Sequence, residues 1–564
     1  MVGQWRERLG APADLVIRGG GVWTGDVGRP RAEAVAVRAG RIVAVGEEGE
    51  IAPLAGPRTE SIELEGRSLV PGFQDAHVHA STGGIERLRC DLSEVHDLDA
   101  YRSVIAAYAE KHREAPWILG GGWAMDLFPG GVPTRDVLDE IAPDRPVFLS
   151  NRDHHAAWVN SRALEIAGVT SATPDPSDGR IERDPDGEPV GTLQEGAMDL
   201  VERHTPRPSL DEQRAAILEG QRYLHALGVT AWQEAIVGRY AVMPDCFDGY
   251  VSLSDAGELT ARVVGALWLE RGRSIEDQID GLLARRSRAR DGRFRATTVK
   301  IMLDGVVESL TAAMLEPYLD ADGRPSGERG LEYFDPQELR AAVVRLDAEG
   351  FQVHIHAIGD RAVRDGLDAI EAALAANGPS DGRHHLAHLQ IVHPDDVPRF
   401  ARLGVVANAQ PLWACHDPQM DELTEPFLRD ERLGWMYPFG SLARAGARLA
   451  FGSDWPVSSP DPLAEIHVAV NRRMAPGYAY GAPGEDEPLL PEEALDLERS
   501  LAAATLGSAY VNHLDDETGS IEVGKAADLV VLSQDPFAAG PEAIGETRAD
   551  LTLVDGSVVF ERTS

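Results

Sequence analysis

Short apolar runs separated by glycine turns open the chain, and the same texture closes it. Asp14 to Arg18, Glu33 to Arg38 and Arg41 to Val45 read as strands, as do Asp528 to Leu532 and Leu551 to Phe560. Neither end alone supplies enough strands to close a core. Residues 1–70 and 505–564 are therefore expected to form one discontinuous β-sandwich, with residues 71–504 inserted between its halves.

In the inserted stretch, short apolar strands alternate with amphipathic helical segments such as Pro336 to Glu349 and Asp360 to Ala376, the pattern of a parallel α/β domain. Strand candidates are residues 68–79, 146–151, 229–235, 262–269, 297–305, 352–359, 384–391, 405–411 and 448–456. The expected fold class is α/β, a (β/α)8 TIM-like barrel carrying the sandwich. Nine candidates for eight places leave one outside the barrel. Residues 123–220 break the alternation with turn-rich sequence at Thr173 to Gly179 and Asp184 to Pro189. They are expected to form a cap over the barrel mouth, where the loops of this fold meet substrate.

Composition narrows the setting. With 564 residues, 43% hydrophobic and 26% charged, the chain has the make-up of a globular protein with ample core. A formal net charge of -38 repels a phosphate backbone, so no nucleic-acid partner is expected. Cys90, Cys246 and Cys415 are too scattered for a disulfide scaffold and fit a reducing compartment. Met1 to Arg8 lacks the apolar core of a signal peptide, and no apolar run approaches the roughly 18 residues of a membrane span. A cytoplasmic protein without membrane contact is expected.

The candidate chemistry starts at Leu69 to Ala80, where an apolar run is broken by Pro71-Gly72 and followed by His77-Val78-His79. Alternate residues of a strand share a face, so both imidazoles can point at one spot. Neutral imidazole is a common zinc ligand. One such pair is also an ordinary strand feature. The ends of later strand candidates add Lys300, His354 and His356, His388, and Asp454. Of 54 basic residues only Lys111, Lys300 and Lys525 are lysines, and Lys300 alone lies inside an apolar strand. Lysine can lose its proton and act as a nucleophile, which arginine cannot. A buried ion pair with Asp304 is the plainer alternative.

These motifs, with Asp144 to Leu149 and the run Asp153 to Ser161, resemble the metal-dependent amidohydrolase superfamily over nearly the whole chain. Within it the chain is similar to the YtcJ-like, N-substituted formamide deformylase-like branch of amidohydrolase family 3. The resemblance implies that His77, His79 and Asp454 hold one metal and His356 and His388 a second. Lys300, carboxylated by carbon dioxide, would bridge both as a carbamate. Two divalent ions, zinc foremost, would generate a bridging hydroxide that cleaves an amide-like C–N bond, as in an N-formyl or N-acyl amine, with Asp454 carrying the proton. His354 shares a strand face with His356; the latter lies nearer the strand end and matches the family's His-Ala-Ile-Gly-Asp motif, leaving His354 beneath. Expected substrate contacts are Trp123, Asp153, His155 and Trp158 from the cap, and Gln410 and Trp413 beyond residues 405–411. The alternatives are a mononuclear deaminase or cyclic-amide hydrolase of the same superfamily, and a non-catalytic binding or regulatory relative. The last should have lost ligands. The expected partner is a small amide-like molecule; a homodimer remains an open option.

Overall fold

The computed structural model describes residues 11–240, 243–320, 322–428, 431–478 and 487–563. The first ten residues of the expected N-terminal β unit lie outside that range. Eight parallel strands follow one another around a barrel. They are β1 Phe73–Val78, β2 Val229–Val237, β3 Arg262–Trp268, β4 Phe294–Met302, β5 Gln352–Ala357, β6 His385–His388, β7 Val406–Ala409 and β8 Leu449–Phe451. Beyond its short ladder, β8 meets β1 through two bonds: the Asp454 N–H donates to His77 O at 2.7 Å, and the His79 N–H to Trp455 O at 2.8 Å.

The helices between strands are set by caps and one apolar face. Asp335 accepts the N–H groups of Gln337 and Glu338, Pro336 opens the helix, and Leu339, Ala342, Val343 and Leu346 form its buried stripe. Ser209 and Glu212 form a reciprocal capping box on the helix Leu210–Ala226.

The ninth strand candidate, observed as Val147–Asn151, belongs to a separate six-stranded sheet. Its order is Gly179–Arg183, Pro189–Glu195, Ala156–Val159, Val147–Asn151, Ile118–Trp123, Cys90–Asp91. This sheet starts upstream of residue 123, because Cys90–Asp91 joins its edge directly after the helix Ala80–Leu88. It also ends before 220, since Leu210–Ala226 packs on Ala80–Leu88 in the barrel's outer layer.

Candidate 68–79 is two strands. Ser68–Pro71 pairs antiparallel with Leu529–Leu532, and after Gly72 the chain turns into β1. The two termini thus share a sheet, ordered Ser557–Glu561, Ala549–Val554, Leu529–Leu532, Ser68–Pro71, Gly21–Trp23, Arg31–Ala32. A second sheet holds Arg41–Gly46, Ala34–Arg38, Leu15–Arg18 and Glu60–Glu63. Ile17, Val35, Leu69, Leu529 and Leu553 fill one core between the two sheets. The stretch after 505 is helical rather than stranded. It brings Val511 against Ala76, Val406 and Ala450 and closes the barrel where its strands begin. No helix among the described residues is long and apolar enough to cross a membrane.

Candidate metal and active site

At the other end of the barrel, His77, His79, Lys300, His356, His388 and Asp454 line one cavity. Asp454 Oδ1 lies 3.1 Å from His77 Nε2 and 3.0 Å from His79 Nε2, and Oδ2 lies 4.0 Å from His388 Nδ1. Single ligand atoms of His77, His388 and Asp454 all fall within 4.8 Å of one another.

Neighbouring strands fix these positions. The Asp75 carboxylate accepts the N–H groups of His77 at 2.9 Å and Ser453 at 3.1 Å, and the Ser453 hydroxyl at 2.6 Å. Gly452 permits that approach, since a Cβ there would stand 2.5 Å from His77 N. Asp454 and His388 take positive φ of 56° and 80°, conformations a side chain avoids unless its surroundings impose them. The His388 N–H donates to Gln410 Oε1 at 2.6 Å, and Gln410 Nε2 to Asn408 Oδ1 at 3.1 Å.

A hydrogen-bond chain beneath the site assigns its protons. Gln233 Nε2 donates to Gln352 Oε1 and Asn512 Oδ1, so Gln233 Oε1 is left as acceptor for His354 Nδ1 at 2.7 Å. Burial holds His354 neutral, far below the usual imidazole range, so its Nε2 is bare. That nitrogen, 2.8 Å away, accepts from His77 Nδ1. His77 is also neutral, lowered to about 3 by burial and then by Lys300. Its Nε2 lone pair therefore faces a carboxylate oxygen at 3.1 Å, an arrangement that calls for a cation between them. His79 Nδ1, both ring nitrogens of His388 and Asp454 Oδ1 are buried without hydrogen-bond partners. The donor set fits a divalent metal. His354 thus supports His77 from below, while His356 turns Nε2 toward Gly305 O at 3.2 Å and keeps Nδ1 free.

Lys300 is 2% exposed, and burial lowers its ammonium to about 7. The alternative ion pair with Asp304 is not formed. Asp304 instead accepts the N–H groups of Ala313, Ile358 and Gly359 at 2.9, 3.1 and 2.8 Å.

Of the expected substrate contacts, Asp153, His155 and Trp413 line the cavity. Trp413 stacks on His388 with centroids 5.1 Å apart and planes at 4°. Burial alone would lower His155, but Glu195, 2.9 Å from Nδ1, raises it to about 9. Trp123 and Trp158 do not reach the cavity. Each is fully buried in the cap's own core, donating its indole N–H to Leu149 O and Thr134 O. Gln410 is also buried and spent on the His388 backbone. Four residues have roles the sequence reading missed: Asp75, Gln233, His154 and Glu195. Asp75 shares a strand face with His77, a signal present in the sequence. His154 lines the cavity with neither ring nitrogen hydrogen-bonded, Nε2 lying 3.6 Å from Glu86 Oε1. Glu195 and Gln233 lie 40 and 121 residues from the histidines they hold, and nothing in the sequence joins them.

The sequence profile described as "Amidohydrolase family" matches residues 60–560. The chain is 34% identical to Protein LONG AFTER FAR-RED 3 of Arabidopsis thaliana, covering 93% of this chain and 88% of that one. It is 30% identical to the N-substituted formamide deformylase of Arthrobacter pascens, covering 98% and 99%. A crystal structure described as an uncharacterized metal-dependent hydrolase from Pyrococcus furiosus superposes with TM-score 0.68 at 26% identity, covering 94% of this chain and 99% of that one.

Proposed function

The chain belongs to the amidohydrolase family and is a metal-dependent hydrolase of carbon–nitrogen bonds; from that premise we propose that its substrates are N-formyl or N-acyl amines. The observation that carries the reading is the bare His77 Nε2 set against Asp454 Oδ1 at 3.1 Å, among imidazole nitrogens with no protein partner. In this reading His77, His79 and Asp454 would hold one ion and His356 and His388 another. Lys300 would serve both as a carbamate ligand, made when its neutral amine adds to the carbon of carbon dioxide and releases a proton. When bound, two zinc ions supply the Lewis acidity that makes water nucleophilic near neutral pH and polarises the scissile carbonyl.

The chain's own groups do the rest. Asp454 accepts the proton of the attacking water and delivers it to the departing nitrogen. Ile236, Met302 and Val306 give the cavity an apolar wall for the substituent. His155, anchored by Glu195, faces the same space and orients the amide.

The test is metal analysis of purified protein with a hydrolysis screen of N-formyl and N-acyl amines, cyclic amides and aminopurines. Two ions per chain with turnover of the acyclic amides is expected. One ion with turnover of an aminopurine or cyclic amide would replace this reading with the mononuclear one. Protein without metal and without metal-stimulated activity would sink both.

A further inference from the structure

Resting on that reading, we propose that the active cavity continues into an acidic subsite that binds a cationic group on the substrate, so that preferred substrates are amides of amines carrying a second, ammonium-like charge. The cavity does not end at the candidate metal ligands. A second space adjoins it, and Asp153, Val306, Trp413 and Val457 line both. Its walls bring in Glu308 from the loop after β4, Asp417 from the segment after β7, and Asp153 from the cap.

Each carboxylate accepts a hydrogen bond through one oxygen. Asp153 Oδ1 accepts the His155 N–H at 2.8 Å, Glu308 Oε1 the Thr424 hydroxyl at 2.7 Å, and Asp417 Oδ1 the Met420 N–H at 2.7 Å. Among the described residues the lining holds one cation, Arg152, which is turned to Gln419 at 3.1 Å and Asp417 at 3.9 Å. Three carboxylates against one guanidinium leave the space net negative. Glu308 is raised by burial and further by Asp153 and Asp417, as expected of carboxylates crowded together.

A second observation points to a ligand. Gln390 lines the same space and is 2% exposed, and its Nε2 has no hydrogen-bond partner. A buried amide donor is costly to leave unmet, and an acceptor on the ligand would satisfy it. The matching ligand carries an ammonium for the carboxylates and a nearby oxygen or nitrogen acceptor for Gln390. The overall charge of -38 acts in the same direction, raising the local concentration of cations near the cleft.

The probes are N-(5-aminopentyl)formamide, N-hexylformamide and 6-formamidohexanoate, nearly equal in length and ending in ammonium, methyl and carboxylate. With metal-loaded enzyme, kcat/KM for the ammonium member should exceed that of the methyl member by at least about tenfold, the scale of one charge-assisted hydrogen bond. The carboxylate member should be poorest. In Glu308→Gln and Asp417→Asn the ammonium-to-methyl ratio should fall toward one. Calorimetric binding of 1,5-diaminopentane against hexylamine to the same holoenzyme reads the subsite without turnover, and the diamine should bind at least about tenfold tighter. Equal binding of the two amines, or a methyl member hydrolysed as well as the ammonium member, overturns the subsite. Diamine preference without hydrolysis of any formamide upholds the subsite and overturns the formyl-amine reading alone.

Discussion

Lys300 shows how a single residue can be read from both ends. In the sequence it stands out as one of three lysines among 54 basic residues; in the structure it is a buried amine among imidazoles with no ion pair to Asp304. The proposed carbamate would place a carboxylate between two cations, which neither alanine nor arginine can supply. Lys300→Ala should lose at least one ion and about a hundredfold or more in activity, at or beyond the upper end for loss of an outer-shell partner. Lys300→Arg should fare no better. Acetate or propionate added with metal should restore part of the alanine variant's turnover, limited by the freedom a free acid must give up. Full activity in Lys300→Arg, with two ions bound by metal analysis, would refute the bridge. Residues of this kind were legible because chemistry restricts them: His77 and His79 keep strand parity, and Lys300 resists replacement in an arginine-rich chain. Trp123 was not, because an aromatic side chain in a lid and one in a core follow the same pattern. Only the fold decides that Trp123 packs against Phe128 and Trp158.

At the level of elements, period and length identified strands but not their sheets. Val147–Asn151 is as completely buried as β5, so no pattern of exposure separates a cap strand from a barrel strand. The division of 68–79 was readable at Pro71-Gly72, where two sheets hand over the chain. The closure of β8 on β1 was hidden, because it depends on backbone approach. That approach gives a sharp test. A Cβ at Gly452 would lie 2.5 Å from His77 N and 2.6 Å from His77 Cβ, and these atoms cannot step aside without moving a candidate metal ligand. Gly452→Ala should cost about 1–3 kcal/mol, as overpacking does, and should lower metal content. At Gly49, in the helix Glu48–Ile51, an added Cβ meets nothing within 4 Å. Gly49→Ala should be neutral or stabilising by up to about 1 kcal/mol. Thermal unfolding and metal analysis of both variants decide the matter, and a Gly452→Ala protein with wild-type metal content would remove the claim that the closure sets the ligand positions.

Across the whole molecule, the terminal sandwich and the barrel depend on each other. The matching strand texture at both ends made the partnership legible, but not where the C-terminal contribution starts, because the helical segment ending near Val511 serves the barrel floor. Leu529–Leu532 lies beside Ser68–Pro71, the strand that feeds directly into β1 and His77. Arg262, at the start of β3, pairs with Asp528 and, at 2.6 Å, with Asp555, and Arg293 also pairs with Asp555. The Gly72 N–H donates to Asp528 O at 2.8 Å. Leu529, Val530, Val531, Leu532 and Leu553 are all 0% exposed. At about 1.5–3 kcal/mol for each buried side chain, removing them forfeits an amount comparable to the whole stability of a typical domain, about 5–15 kcal/mol. It also strips Ser68–Pro71 of a neighbour and leaves an apolar strand edge open to other chains. A chain ending before Asp528 keeps the barrel floor and every candidate metal ligand. It should nevertheless be recovered mainly as aggregate, and any soluble fraction should bind less metal, because the strand leading into His77 has lost its support. Solubility, metal content and activity of that truncation are the measurements. If it stays soluble with full metal and activity, the barrel is independent of the sandwich, and the shared sheet is a junction without consequence for the site.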